Sequence, residues 1–543
     1  MMADKILPQI AALDKRYQSL LTQRSNWEKH WQELADYMLP RKADITKQRT
    51  QGDKRTELIY DSTALHSVEL LASSLHGMLT SPSTPWFSLQ YRDSGLQSND
   101  AANEWLESCS SQMYKALQRS NFQQEIHELY YDLVVFGTAS IFIEYENEND
   151  TLRFSARHIA EICISENMND KVDTVFRKFK MTARQIVQRF GEDSLPDRVK
   201  KDSQNDPYVE HEIIHVVQPR AEAKGKFAKD KPFASIYYHL DSKVLLSESG
   251  FDSMPFCVPR MNKDSVSIWG RSPAMNALPD TKMLNKMSEV TIRAAQKQID
   301  PPLMVPDDGF ILPVRTTPGA LNFYRTGTRD RLEPLQVGAN NPLGLNMEEQ
   351  RRQAIREAFY VDQLITPQSG PRMTATQTLQ LAEERMRILG PVLGRLQAEL
   401  LQPLISRTFE LLLRNRQLPE APEMLQGQNI DIEYVSPLAK AQKLTDLQST
   451  MRGLEVMMQM GEIAPVGDYI DTDGLIKYIA EVTGMPAKIL RSEEEVAELQ
   501  EQKQAQAAQQ AQQQDQMVEA QNVQAAAPMM KVLAQAEQAS ELE

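Results

Sequence analysis

The chain has 543 residues, 41% of them hydrophobic and 25% charged, with a formal net charge of −14 at pH 7. That length holds about two to four domain-sized units, and the composition excludes a collagen-like or membrane-embedded chain. An acidic chain also lacks the clustered Lys and Arg that grip nucleic-acid phosphates, so its charge alone argues against a tight nucleic-acid binder. No apolar run is long enough to cross a bilayer and the N-terminus opens on Asp4 and Lys5, so no signal peptide, no membrane partner and a cytoplasmic site of synthesis are expected. Cys109, Cys163 and Cys257 are odd in number and far apart, which reads as buried free thiols, not a disulfide framework or a zinc site.

Residues 5 to 38 place Ile6, Ile10, Leu13, Tyr17, Leu20, Trp27, Trp31, Leu34 and Met38 near helical spacing, and Pro40 stops the run. Residues 57 to 79 and 101 to 136 predict further helices, the second ending at Phe136-Gly137 where the alternating SIFIEYE begins a strand. Strands then cluster between 138 and 260. In this stretch Thr182 and Gln185 form a capping-box pair ahead of a short helix that Gly191 ends. From Asp280 to Ile299 the positions Met283, Met287, Val290 and Ala294 predict one apolar helical stripe, closed by Asp300-Pro301-Pro302.

Between Pro301 and Pro342 the chain turns to Pro, Gly and Arg, after which MEEQRRQAIREAFYVD is again helical. The loop Gln363 to Met373 carries Pro367, Ser369, Gly370 and Pro371, which forbid helix continuation. Gly370 to Leu418 then reads as one long helix. Thr374 and Gln377 open it, and Leu379, Met386, Leu393 and Leu400 recur every seven residues with Ala382, Leu389 and Leu396 between them. Gly390-Pro391 should bend it. Residues 437 to 490 are helices punctuated by glycine, and beyond Ser492 the Gln/Ala-rich tail fits a lone helix or disorder equally well.

His211-Glu212-Ile213-Ile214-His215 matches the HExxH pattern, which in zinc proteases sits on a helix that brings both imidazoles to one face. Here β-branched residues surround the motif and Pro207 and Pro219 bracket it, so it reads as a strand. Positions four apart in a strand lie roughly 13 Å from each other, too far to share an ion whose bonds are about 2 Å. Gly225-Lys226 lacks the surrounding residues of a P-loop, so the chain is not expected to be an ATP-driven motor.

Four stretches carry a family resemblance: Leu70 to Leu89, Ser267 to Glu289, Gly370 to Leu418 and Ile432 to Gln442. In wording and order they resemble the head-to-tail connector, or portal protein, of short-tailed double-stranded-DNA bacteriophages. The resemblance implies a mainly α fold with an α+β wing, assembling as a ring, typically of twelve copies, at one capsid vertex. It implies a wing over 1–273, a first stem helix over 274–300, a clip over 301–345, and a second stem helix over 346–362. A tunnel loop over 363–373 follows, then a long kinked helix returning to the wing over 374–436, a crown over 437–491, and a tail or partial helical barrel over 492–543.

Gln368, Ser369 and Arg372 of the tunnel loop then become candidates for touching DNA in the bore. The implied partners are further copies of the chain, double-stranded DNA, the terminase large subunit, a tail adaptor, and capsid and scaffolding proteins. The implied setting is the virion, assembled in the host cytoplasm. No catalytic residue, metal or cofactor is expected, and the chain is not read as an enzyme. The competing readings are a zinc metalloprotease on the HEIIH motif and another phage structural adaptor; adaptors are usually much shorter chains.

Overall fold

The computed structural model describes residues 8–91 except Gln48 and Gln51, then 100–220, 230–304, 342–361 and 389–422, with short pieces at 321, 323, 333–334, 432–435 and between 447 and 503. The chain divides into two compact units. The first comprises Met1–Leu89, Ser108–Glu420 and Ile432–Leu438; the second comprises Gln90–Glu107, Ala421–Asp431 and Ala439–Glu543. In the second unit Trp105 and Leu106 are buried and the Tyr91 hydroxyl donates to the Ala102 carbonyl.

Helix α1, Pro8–Met38, ends where Pro40 starts a short 3-10 turn, as its spacing predicts. Helix α2 is Thr63–Leu79. It starts later than residue 57 because the backbone N–H groups of Tyr60 and Asp61 donate to the distant Asn285 Oδ1, while the Asp61 carboxylate accepts from Thr63 N. Strand β1 is Ser88–Tyr91. The single helix expected over 101 to 136 is two, α3 Asp100–Arg119 and α4 Phe122–Phe136. Asn121 makes the break: its amide both donates to the Phe154 carbonyl at 2.8 Å and accepts from Phe154 N at 2.9 Å. Beside it Ser120 Oγ accepts from Phe122 N at 3.2 Å, a local side-chain bond that takes the place of a helical one at the junction.

A three-stranded antiparallel sheet has the order β3-β2-β9, with β2 Ile141–Glu146, β3 Thr151–Ala156 and β9 Phe256–Cys257. A five-stranded antiparallel sheet runs in the order β4-β5-β6-β7-β8. Its strands are Ile162–Glu166, Val172–Thr182, Glu210–Pro219, Phe233–His239 and Leu245–Phe251. Both faces of this sheet are covered. Ile214, Val216, Ile236 and Tyr238 pack with Ile10, Leu13 and Tyr17 of α1. Ile213, Tyr237 and Leu246 pack on the other side with Ile186 of helix α5, Ala183–Phe190, and Val199 of helix α6, Asp197–Asn205. The capping box of Thr182 and Gln185 that opens α5 is present in full, and Gly191 ends the helix. The long apolar run of β6 follows from this two-sided burial, since both sets of alternate residues face a core.

Helix α7 is Pro273–Ile299 and α8 is Pro342–Ala358. The two-residue strands β10 Leu303–Met304 and β11 Glu333–Pro334 pair antiparallel in the segment between them. The final long helix is described from Leu389, α-helical over 389–396, a π turn at Gln397–Leu401, and α9 at Gln402–Arg414. The π turn has a direct cause in Pro403, which has no N–H to return to the carbonyl four residues earlier. The bend expected at Gly390-Pro391 falls at the edge of the described residues. Leu389, Leu393, Leu396 and Leu400 of the heptad seam are buried; Leu379, Ala382 and Met386 lie outside the described residues. All three cysteines are free and buried.

Candidate functional site

Gln368, Ser369 and Arg372 lie outside the described residues, as do the rest of the loop 363–373 and most of 305–341. The described geometry at this end of the chain is that of α7 and α8, which pack on each other.

The start of α7 is set by a backbone crossing. Gly137 ends α4 with φ 75°, and a Cβ on it would lie 2.4 Å from the Gly270 carbonyl oxygen; a Cβ on Gly270 would lie 2.3 Å from the Gly137 oxygen. Only two glycines allow this approach. Thr138 Oγ1 accepts from Gly270 N at 2.8 Å, and Ser272 Oγ donates to the Val135 carbonyl at 2.7 Å while capping α7 through Met275 N. Trp269 meets Trp31 of α1 edge to face at 4.8 Å.

Beyond this anchor, α7 turns a polar stripe inward. Thr281, Leu284, Asn285 and Ser288 are buried, whereas Met283 is 41% exposed and Val290 56% exposed. The expected apolar stripe of Met283, Met287, Val290 and Ala294 is therefore not the face buried in the chain. Hydrogen bonds tie α7 to its neighbours: Asn285 to Tyr60 and Asp61, the exposed Thr291 Oγ1 to the buried Glu348 at 2.7 Å, and Arg351 to Asp280 at 2.7 Å. Arg352 joins Asp61 at 3.0 Å and Glu348 at 3.1 Å. Residues 290–300 are all exposed, including Ile292 and Ile299. These apolar side chains are left uncovered by the described residues.

The neighbouring loop and the last long helix meet at Arg260, which is 2% exposed. Its guanidinium pairs with Glu166 and with Glu399, the latter at 2.8 Å and 3.1 Å, and its backbone N–H donates to Glu399 at 2.9 Å. Lys263 adds a 2.8 Å pair to Glu166, and Arg395 a 3.1 Å pair to Glu399. Burial disfavours the Arg260 charge, but the two carboxylates outweigh it and hold its pKa above the usual arginine value. Sequence reading missed this residue because its partners are 94 and 139 positions away.

The HEIIH residues lie on β6, as read from the sequence. His211 stands opposite Met181 of β5 and His215 opposite Tyr237 of β7. His215 stacks on Tyr237 with centroids 4.0 Å apart and bonds Ser235 Oγ at 2.9 Å. Burial, with Arg177, Arg189 and Arg157 adding to it, keeps its pKa well below the ordinary imidazole value. Glu212 pairs with Lys178 at 2.8 Å. Among the described residues no group of three or more His, Cys, Asp and Glu side chains is placed to hold a metal ion. Elemental analysis of the purified protein and of the double variant His211→Ala, His215→Ala is expected to give equal zinc contents. Stoichiometric zinc that disappears with the variant would contradict the strand geometry.

Among the described residues no helix is long and apolar enough to cross a membrane. A model of the family "Bacteriophage head to tail connecting protein" matches residues 11–490. The chain belongs to that family. It is 31% identical over 501 residues to the portal protein of Salmonella phage epsilon15, covering 90% of both chains. It is 30% identical over 505 residues to the probable portal protein of Bordetella phage BPP-1, again covering 90% of each. A shorter similarity, 25% over 174 residues and 32% of each chain, links it to the portal protein of Enterobacteria phage T3.

Proposed function

We propose that the chain is a portal: a non-enzymatic subunit that forms a ring at one capsid vertex and provides the passage for double-stranded DNA. The observation that carries this reading is similarity to portal proteins over nine-tenths of the chain, in collinear order. The α7 surface supports it from physics. A helix whose last turns are wholly exposed yet carry Val290, Ile292 and Ile299 is poorly stabilised alone, and further copies of the same chain would cover it. In this reading 274–300 and 346–362 are stem helices, 301–345 is the clip that meets the terminase and later the tail adaptor, and 1–273 the wing. Residues 374–436 return to the wing, 437–491 form the crown, and 492–543 a tail or barrel. The capsid and scaffolding proteins surround the ring, the finished protein resides in the virion, and no cofactor takes part.

The loop 363–373 lies at the bore in this reading, with Gln368, Ser369 and Arg372 toward DNA. A single cation per subunit gives a weak, salt-screened phosphate contact that follows a sliding duplex without halting it. Negative-stain imaging of the purified protein is expected to show rings with a central hole, and a monomer under all conditions would end the portal reading. Val290→Asp with Ile292→Asp is expected to reduce ring yield. Deleting Pro367 to Arg372 is expected to spare the rings and shorten or release the packaged DNA. Equal loss of rings and DNA would make the loop structural, and normal packaged DNA would remove it from the bore.

A further inference from the structure

His211 belongs to a hydrogen-bonded chain that neither the zinc pattern nor the portal reading uses. It runs from the turn after β7, across two strands, to helix α6. Ser242 N donates to Nδ1 of His239 at 3.2 Å, with Ser242 Oγ 2.8 Å from the same nitrogen. A nitrogen that accepts a backbone N–H carries no proton, so the neutral His239 ring is protonated at Nε2. That Nε2 lies 3.4 Å from His211 Nδ1, which must accept and leaves the His211 proton on its own Nε2. His211 Nε2 in turn stands 3.3 Å from Asp202 Oδ2 of α6, an ion-pair contact off the line of a good hydrogen bond. Both rings are buried, His211 at 3% and His239 at 0% exposure. One backbone N–H thus sets the tautomers of two imidazoles.

We propose that this Ser242–His239–His211–Asp202 chain is a proton-operated exchange clasp, which holds the β7–β8 turn at neutral pH and in acid loosens it at Ser242 N–H while tightening α6. A further proton settles best on His211, the ring beside the Asp202 carboxylate. On His211 it makes an imidazolium beside the Asp202 carboxylate, which is favourable. But His211 Nδ1–H then points at His239 Nε2–H across 3.4 Å. The conflict is relieved when His239 moves its proton to Nδ1, and that nitrogen then no longer accepts from Ser242 N. Ser242 N–H loses its acceptor, and the turn 240–244 is left with an Nδ1–H to Ser242 Oγ contact and the backbone bonds from Lys243 N to the His239 carbonyl and from His239 N to the Val244 carbonyl, while the α6 contact gains a full ion pair. No proton is created or lost in the exchange beyond the one taken up.

The other charges facing the pair are consistent with such a device. From α6, Arg198 reaches Asp241 of the turn at 3.3 Å and Asp202 at 4.0 Å. From the turn, Lys243 pairs with Asp14 of α1 at 2.7 Å. From β5 the residue opposite His211 is Met181, and along β6 the nearest imidazole, His215, bonds Ser235.

Burial lowers the pKa of both His211 and His239, with Asp202 opposing the shift at His211 and the neighbouring His211 adding to it at His239. The closed chain thus binds fewer protons than an opened one. Closure is complete above the ordinary imidazole value of about 6.5 and is lost as pH falls below it.

Hydrogen exchange by mass spectrometry on the full chain, corrected for intrinsic rates, tests this between about pH 7.5 and pH 5.5. Peptides covering 239–246 are expected to lose protection by about tenfold or more in acid, while those of 197–205 keep or gain it. His211→Phe is expected to abolish the acid response of the turn. Asp202→Asn, which keeps the side-chain shape, is expected to move the transition to lower pH. Unchanged turn protection in the wild type, joint opening of α6 and the turn, or an unaltered transition in Asp202→Asn would each overturn the proposal.

Discussion

Arg260→Met is expected to be among the most destabilising single changes in this chain. It removes the cation that Glu166 and Glu399 share and leaves two partly buried carboxylates facing each other's field, with only Lys263 and Arg395 to compensate. Breaking a buried ion pair in this way costs about 3–5 kcal/mol. Chemical denaturation should therefore show an early transition, and limited proteolysis should attack the helix over 389–414, which Glu399 tethers. The triple variant Arg260→Met, Glu166→Gln, Glu399→Gln separates lost packing from stranded charge: with both carboxylates neutralised, much of the lost stability is expected to return. Wild-type stability in Arg260→Met alone would show that the guanidinium is not what joins this helix to the sheet.

Gly270→Ala should have an effect of similar size for a different reason. Its new methyl group would meet the Gly137 carbonyl oxygen at 2.3 Å and the Arg260 Cβ at 3.0 Å, and the first of these is backbone that cannot rotate away. The two segments must separate, which costs about 1–3 kcal/mol in a packed interior and falls at the upper end where backbone is the obstacle. The displacement falls on Trp269 and on the Ser272 cap, so α7 should lose its orientation along with its stability. Gly77→Ala is the control, because a Cβ there meets nothing within 4 Å and the site is inside α2; it should be neutral or stabilising by up to about 1 kcal/mol. Comparing thermal transitions and soluble yield of the two variants decides whether steric crossing, and not glycine content, sets the requirement.

Much of the local structure was legible from residue order. The start and stop of α1, the capping box at Thr182 and Gln185, the αL end of α4 at Gly137 and the strand character of HEIIH each follow from groups within a few positions of one another. Signals of that kind are local, so residue order alone carries them. The motif segments around Trp86 and Trp269 were also visible as family wording, but their roles were not. Trp86 stacks on Phe122 at 5.8 Å, and Gly270 exists for a partner at position 137.

What residue order determined by itself is the family, the helix and strand inventory over most of the described residues, and the absence of helical geometry in the HEIIH segment. Tertiary structure alone decided which face of α7 turns inward. Periodicity nominated the apolar side, yet Asn285 and Thr291 find partners at Tyr60, Asp61 and Glu348, so the polar side is the satisfied one within a chain. It also decided that the run 101 to 136 breaks at Asn121, and that Arg260 is buried. In each case a hydrogen-bonding group chooses between local backbone and a partner brought near by folding, and the spacing of residues along the chain carries no record of that partner.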